Sequence, residues 1–213
     1  MIIVMARSSI SIVLPVKGEP LDWIQDICNV ATWEASDIFI VVSRDDDPIS
    51  MKPGGSFERV RVLQQGGTTK RDALNLGLSY VRTQLVCFID GDVILRGGEI
   101  SAAREVLEGG EDFVAAGYGR PDRPNPFPVF GFASGWFLAA RVSVLRDLGG
   151  FPENFVEDAA LSNVIKRSGR TIARLPFNVE LRRAPRNPIV KAFERAVHAL
   201  TWRKVARHSM EFR

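Results

Sequence analysis

The first ninety residues alternate between short apolar runs and sets of apolar residues at helical spacing. The runs Ile10–Leu14, Ile38–Val42 and Leu85–Ile89 are rich in β-branched residues and predict buried strands, and Val60–Leu63 predicts a shorter one. The sets between them predict helices. Strands that are apolar throughout are typical of a sheet covered on both faces. The pattern therefore predicts an α/β fold, with helices flanking a mostly parallel central sheet.

The second half of the chain is less regular. Phe113–Ala116 and Thr171–Leu175 predict two more strands, and the spacing over 157–169 predicts a helix. The segment Tyr118–Pro128 contains four prolines and predicts a loop. Residues 187–210 predict a basic amphipathic helix.

Charge divides the chain into two parts. The whole chain carries +3, but residues 182–213 contain nine basic and two acidic residues and carry +7, which leaves residues 1–181 at −4. No basic stripe runs through the body, so we expect no nucleic acid ligand. We predict one domain over 1–181, long enough to bury its own core, and a basic amphipathic helical tail over 182–213.

The tail permits two interpretations. It could lie on an anionic membrane surface, or pack on the domain with its basic face in water. No run approaches the roughly 18 apolar residues that span a bilayer. The first five residues are too few for a secretory signal, and Cys28 and Cys87 lie in apolar patterns typical of reduced core thiols. We therefore expect a cytoplasmic protein, with peripheral attachment to the inner face of the membrane left open.

Polar residues follow three of the predicted strands at the points where the strands end. They are Lys17–Glu19, Ser43–Asp47 and Asp90–Asp92. Ligands of parallel α/β sheets bind beyond the carboxyl ends of the strands. We therefore expect these three clusters to share one binding edge.

Two pairs of carboxylates are candidates for chemistry. Asp90 and Asp92 can point at one hard cation, such as Mg²⁺ or Mn²⁺, which takes one or two carboxylates together with substrate phosphate oxygens. The alternative is an ordinary Asp-Gly turn. Glu157 and Asp158 begin a predicted helix, where the helix dipole favours ionised carboxylates that can act as a general base. The alternative there is ordinary helix capping.

One basic residue has a similar double interpretation. Lys70 follows Gly66-Gly67 at the start of a predicted helix, which suits a phosphate group but also a solvated helix start. The chain contains no P-loop, and no G-x-G-x-x-G follows the first strand, so we expect no nicotinamide or flavin cofactor. His198 and His208 have no neighbours at metal-ligand spacing and are interpreted as surface residues.

Taken in order, these segments resemble family 2 glycosyltransferases, whose nucleotide-sugar-binding fold is called GT-A. The resemblance covers about residues 9–175 and is carried by SIVLPVKGE, DIFIVVSRDDD, KRDALNLGL, VCFIDGDVIL and ASGWFLAARVSVLRDLGGFPENFVEDAALSNVIKRSGRTIARLP. It implies a GT-A fold and a hexosyltransferase that uses a nucleoside-diphosphate sugar of the UDP, GDP or dTDP type. The acceptor hydroxyl would belong to a saccharide or a lipid-linked molecule. The resemblance also implies inversion at the anomeric carbon and a Mg²⁺ or Mn²⁺ cofactor.

The resemblance also implies a role for each matching residue. The donor would be bound by Pro15, Val16, Glu19, Asp45, Lys70, Asp90 and Gly91. The metal would be bound by Asp90 and Asp92, and the acceptor or sugar pocket would be bordered by Ser134, Gly135 and Trp136. Asp158 would be the general base with Glu157 beside it, and the loop 118–128 would form a lid that excludes water.

The chain departs from the family pattern near its end. Many members carry a metal-ligating histidine downstream of the Glu-Asp helix, where this chain has Glu180 and Arg182, and either could take its place. The glutamine-x-x-arginine-tryptophan signature of processive synthases is absent, so we expect no polymer-extruding synthase. Two alternatives stay open. One is a catalytically idle protein that binds a sugar nucleotide or a lipid headgroup, and the other is a sugar-1-phosphate nucleotidyltransferase.

Overall fold

The computed structural model describes residues 8–46, 58–118, 133, 135–153 and 157–182. Within these residues an eight-stranded sheet has the order β3-β2-β1-β4-β7-β6-β8-β5. The strands are β1 (Ile10–Val16), β2 (Asp37–Val42), β3 (Val60–Gln64), β4 (Leu85–Ile89), β5 (Val93–Ile94), β6 (Phe113–Tyr118), β7 (Phe137–Arg141) and β8 (Ala173–Leu181). The helices are α1 (Leu21–Ala31), α2 (Lys70–Tyr80), α3 (Glu99–Glu108), α4 (Val142–Asp147) and α5 (Glu157–Arg167). The predicted tail helix, Ser134 and all but the first residue of the predicted lid loop lie outside the described residues.

The first four strands of the sheet order run parallel, which confirms the prediction from the apolar runs. β1 pairs with β2 and β4, and β2 pairs with β3, all in the parallel sense. The predicted first strand is longer than expected and continues through Pro15 to Val16. The pairing of β1 with β4 ends at Val13, so at Pro15 the strand pairs with β2 on one side only. A proline N, which has no hydrogen to donate, is tolerated at such an edge position.

The rest of the sheet is mixed. β7 runs antiparallel to β4 and β6, whereas β8 runs parallel to β6 and antiparallel to β5. The predicted strand Thr171–Leu175 begins two residues later and extends to Leu181, because both β6 and β5 pair with it. Helices α3 and α4 and strands β5 and β7 were not among the predicted elements.

Two hydrophobic clusters cover the two faces of the sheet. Ile12 and Leu14 face one cluster together with α1 and α3, while Val13 faces the other together with α2, α4 and α5. This alternation follows from the two-residue repeat of a strand, and it explains why the central strands carry apolar residues on both faces. Cys28 and Cys87 are both buried free thiols in the first cluster.

Helix α2 approaches β1 closely because of one glycine. A Cβ atom added to Gly77 would lie 2.3 Å from Cγ1 of Val13, which is nearer than real side chains approach. The glycine in the KRDALNLGL segment is therefore explained by helix–sheet packing. No helix in the described ranges is long and apolar enough to cross a membrane.

Candidate active site

The expected binding edge forms at the carboxyl ends of the parallel strands. The segments after β1, β2 and β4 all leave the sheet on this edge. Because β7 runs antiparallel to β4, the residues just before β7 lie there too, and the backbone N–H of Asp90 donates to the carbonyl of Trp136 at 3.0 Å. Gly135 is thereby placed beside the segment that directly follows β4.

Lys70 connects four parts of the site. Its ammonium group lies 2.6 Å from Asp90 Oδ1 and 3.5 Å from Glu157 Oε1. It also donates a hydrogen bond to the carbonyl oxygen of Gly135 at 3.2 Å. About a third of the Lys70 side chain and a fifth of the Asp90 side chain are exposed to solvent. The cluster of Lys70, Asp90, Gly135 and Glu157 therefore joins α2, β4, the segment before β7 and α5 at one point.

Burial and neighbouring charges together shift the pKa values of both partners in the central pair. Burial raises the pKa of Asp90 to about 6; Lys70 opposes this rise, and the negative charge of Asp92 adds to it. Burial alone would lower the pKa of Lys70, but the carboxylates around it outweigh that effect, and its pKa is raised. Lys70 therefore stays charged at neutral pH, as an ammonium group among acids.

Asp158 borders the same cluster. Its Oδ1 accepts a hydrogen bond from the backbone N–H of Ala159 at 2.7 Å, which favours the ionised carboxylate at the first turn of α5. A Cβ atom on Gly135 would lie 3.1 Å from Asp158 Oδ2 and 3.5 Å from the Lys70 Nζ. Glycine at this position therefore lets the Asp158 carboxylate and the Lys70 ammonium both approach the backbone of Gly135.

Two hydrogen-bonding side chains that the sequence did not single out hold this arrangement. Asn75 bonds the backbone of Phe151 twice, since its Nδ2 donates to the Phe151 carbonyl and its Oδ1 accepts from the Phe151 N–H, each at 2.9 Å. Ser162 is buried, donates to the carbonyl of Asp158 and accepts from the backbone N–H of Ala133. Asn75 lies within the KRDALNLGL segment, one of those that carry the family resemblance, so the resemblance could have pointed to it.

The predicted donor-binding residues divide into two groups. Glu19 packs over Gly91, because a Cβ on Gly91 would lie 2.9 Å from the Glu19 Cγ. Pro15 is half-buried and Val16 is buried at the end of β1. Asp45, in contrast, lies in the loop after β2 with 80% of its side chain exposed, and it pairs with Arg44 at 3.5 Å.

The two residues considered as substitutes for the family's histidine have other contacts. Glu180 pairs with Arg96 at 2.6 Å. The Arg182 side chain pairs with Asp26 at 2.7 Å and lies over the Trp23 ring, while its backbone N–H donates to the Asp92 carbonyl at 2.7 Å. In the part of the chain that the structure describes, no three His, Cys, Asp or Glu side chains form a preassembled metal site.

Comparison with known proteins shows the fold of the chain. No protein-family model matches the sequence, and a search of curated proteins finds no significant match. Among solved structures, a mannosyltransferase from Pyrobaculum calidifontis, in complex with GDP-Man and Mn²⁺, superposes with a TM-score of 0.71 at 16% identity. The match covers 95% of this chain and 65% of that protein. Glucosyl-3-phosphoglycerate synthase from Mycobacterium tuberculosis, with Mn²⁺, UDP and phosphoglyceric acid, gives a TM-score of 0.63 at 20% identity, over 84% of this chain and 72% of that one.

The chain has the GT-A fold. The prediction of an α/β sheet flanked by helices, and of this fold in particular, is confirmed. In the GT-A fold of this chain, the cluster around Lys70 lies at the edge where parallel α/β sheets bind their ligands.

Proposed function

We propose that the chain is a metal-dependent inverting glycosyltransferase of the family 2 type. It would move a hexosyl group from a nucleoside-diphosphate sugar to an acceptor hydroxyl. The observation that carries this proposal is the convergence of Asp90, Glu157 and Asp158 around Lys70 at the ligand edge of a GT-A sheet. The neighbours that bind GDP-Man or UDP-Glc support the same class of donor.

The acidic pair at the end of β4 fits a divalent cation in its chemistry. Mg²⁺ and Mn²⁺ prefer carboxylate oxygens, and Mg²⁺ commonly takes one or two of them with substrate phosphates and water completing the shell. Asp90 and Asp92 would supply the protein ligands. A cation held there would supply positive charge that stabilises the departing nucleoside diphosphate. The neighbouring structures that contain Mn²⁺ or Mg²⁺ with UDP support this assignment.

Asp158 is proposed as the general base. It would accept the proton of the acceptor hydroxyl as the hydroxyl oxygen attacks the anomeric carbon from the face opposite the leaving group. The Ala159 N–H bond favours the charged form that a base needs. Glu157 would position Lys70, and the short Gly135 leaves space beside Asp158 Oδ2 for the acceptor hydroxyl.

The remaining roles follow from the same edge of the sheet. Glu19 and Gly91 would shape the nucleotide pocket together with Pro15 and Val16, and Lys70 and Asp45 would contact the donor. Trp136, with Ser134 and Gly135, would border the sugar or the acceptor, and the loop 118–128 would close over the site to exclude water.

Two other functions are alternatives to this proposal. A catalytically idle binding protein would bind the sugar nucleotide but leave it intact. A sugar-1-phosphate nucleotidyltransferase would need a glycine-rich basic loop after the first strand, and the turn Lys17–Glu19 is too short for one.

The test starts from ligand binding and proceeds to turnover. A thermal-shift screen of UDP, GDP and dTDP with and without Mn²⁺ identifies the nucleotide, because a bound ligand raises the melting temperature by mass action. With that donor, Asp158→Asn should keep donor affinity and lose about 10²-fold or more in rate. Asp92→Ala should lose metal-dependent binding. Asp147→Asn, an exposed acid on α4, is the matched control and should change neither property.

Clear outcomes would overturn the proposal. If no nucleotide shifts the melting temperature and no donor is consumed, the chain is not a glycosyltransferase of this type. A loss of donor affinity in Asp158→Asn with the rate unchanged would contradict the base assignment. Binding without turnover, equal in wild type and Asp158→Asn, would favour the idle binding protein.

The tail carries a separate proposal. We propose a cytoplasmic protein whose basic segment 182–213, with its charge of +7, binds the inner face of an anionic membrane near a lipid-linked acceptor. Sedimentation with anionic liposomes should pellet the full chain, and a chain ending at Arg186 should stay in the supernatant. Equal pelleting of the two would show that the tail does not bind the membrane.

A further inference from the structure

One cation of this chain is already paired with a carboxylate that the divalent cation would use. Lys70 Nζ lies 2.6 Å from Asp90 Oδ1, the carboxylate assigned both to metal and to donor. The carboxylate has other lone pairs for a metal ion, but it would then share its negative charge between two cations, which weakens both contacts. Two positive charges a few ångströms apart also repel each other.

The position of Lys70 is fixed by its own helix. Lys70 is the first residue of α2, and Thr69 caps that helix: its hydroxyl accepts from the Asp72 N–H at 3.2 Å, while the Asp72 carboxylate accepts from the Thr69 N–H at 3.1 Å. This reciprocal capping box holds the helix start rigidly. The Gly135 carbonyl and Glu157 then hold the ammonium group from two further sides.

Lys70 has alternative partners once Asp90 is taken. Glu157 lies 3.5 Å away, and an incoming diphosphate would offer anionic oxygens at the same sheet edge. A metal ion that arrives alone would therefore weaken the Lys70–Asp90 pair and leave the ammonium group only Glu157 and the Gly135 carbonyl, which are already its partners. A metal ion that arrives with a nucleoside diphosphate gains phosphate ligands for itself and provides a new anion for Lys70.

We infer that Lys70 is a built-in competitor of the metal at Asp90 and that it couples metal binding to nucleotide binding. Metal alone binds weakly, nucleotide alone binds weakly, and each increases the affinity for the other. The coupling is reciprocal by thermodynamic necessity. This inference rests on the proposed function, since it takes Asp90 and Asp92 as the metal ligands.

The test is a titration of Mn²⁺ into the full chain without donor sugar, in the absence and in the presence of UDP or GDP. Binding is monitored through the spectroscopic signal of free Mn²⁺. Lys70→Met should bind Mn²⁺ alone about tenfold more tightly than wild type, and the gain in Mn²⁺ affinity caused by the nucleotide should fall by about the same factor. Lys70→Gln, which keeps a hydrogen-bond donor but no charge, should behave like Lys70→Met and serves if the methionine variant does not fold. Arg82→Met removes one positive charge from the opposite end of α2 and should leave both quantities unchanged.

The outcomes separate this inference from the proposed function. If wild type binds Mn²⁺ with nucleotide but neither Lys70 variant binds Mn²⁺ alone more tightly, the competition is wrong and the metal site stands. If Arg82→Met tightens Mn²⁺ binding as much as Lys70→Met, the effect is one of net charge, and the inference is also wrong. If no variant binds Mn²⁺ even with nucleotide, both the inference and the metal assignment fail, whereas a remaining thermal shift with nucleotide alone would preserve the donor site.

Discussion

Replacing Asn75 by alanine tests whether the α2 motif holds the segment that leads to the candidate base. The Asn75 side chain forms two hydrogen bonds of 2.9 Å with the backbone of Phe151, and both are partly buried. Gly150, directly before Phe151, is packed so closely that a Cβ there would lie 2.6 Å from Asn75 Oδ1. Alanine at position 75 therefore leaves a backbone N–H and a backbone C=O without their partners.

The expected magnitude follows from these two bonds. Each hydrogen bond contributes about 1 kcal/mol net, and leaving a buried partner unsatisfied raises the cost to about 1–3 kcal/mol per group. For two groups that are only partly buried we expect a loss of about 2–4 kcal/mol in the free energy of unfolding. In a domain of this length that corresponds to a melting temperature roughly 4–16 °C below wild type.

The assay is reversible unfolding followed by circular dichroism, in heat and in urea. Ser79→Ala, on the exposed side of the same helix, is the matched control and should stay within about 0.5 kcal/mol of wild type. Asn75→Asp keeps the acceptor for the Phe151 N–H but turns a second acceptor toward the Phe151 carbonyl, so it should also destabilise. A melting temperature of Asn75→Ala within 2 °C of wild type would refute the role of Asn75 as the tie between α2 and the Gly150 turn.

Two further predictions concern the core. Gly77→Ala should destabilise the chain by about 1–3 kcal/mol in spite of alanine's higher helix propensity, because its Cβ would overlap Val13, and adding Val13→Ala should recover part of the loss in the same unfolding assay. Cys28 and Cys87 should not react with a thiol reagent at pH 8 until the chain is unfolded, since burial raises the pKa of Cys28 to about 12 and that of Cys87 well above its usual value. Because the unfolded thiols ionise near pH 9 and the folded ones do not, the contribution of the thiols to the free energy of unfolding should be constant below that pH and should fall as the pH rises from about 9 to 12, by up to about 1.4 kcal/mol per unit for each thiol. A chain with Cys28→Ala and Cys87→Ala that shows the same slope would contradict this account.

The sequence predicts the central sheet well, because its signals are local. Ile38–Val42 and Leu85–Ile89 are apolar at every position and Ile10–Leu14 is apolar except at Ser11, as is typical of strands buried on both faces. Helix α3 lacks such a signal at its start. It follows Gly97 and Gly98, and its first N–H groups are bonded by the carboxylate of Glu34, which lies 64 residues earlier in the chain. Because this cap comes from a residue far away in the sequence, no pattern near α3 indicates where the helix begins.

The candidate site shows the same difference between features that the local sequence indicates and features that depend on tertiary packing. The positions of Asp90, Glu157 and Gly135 at one edge follow from strand order and motif spacing, so the sequence and the family resemblance could anticipate them. The contact of Lys70 with Asp90 could not be anticipated in this way, because it depends on how the start of α2 is placed against the end of β4. Strand β5 is likewise only two residues long and owes its conformation to pairing with β8.

The backbone contact between Arg182 and Asp92 has a practical consequence for protein engineering. Arg182 is the last described residue, and its backbone N–H donates a hydrogen bond to the carbonyl of Asp92 in the turn after β4. Its side chain contacts Asp26 and Trp23. A boundary drawn at Leu181 would remove the residue that donates this hydrogen bond, whereas a cut after Arg182 would keep it. A fluorophore attached just beyond Arg182 should therefore report on ligand binding at the Asp92 turn. A rigid fusion partner joined at the same point should perturb the conformation of that turn.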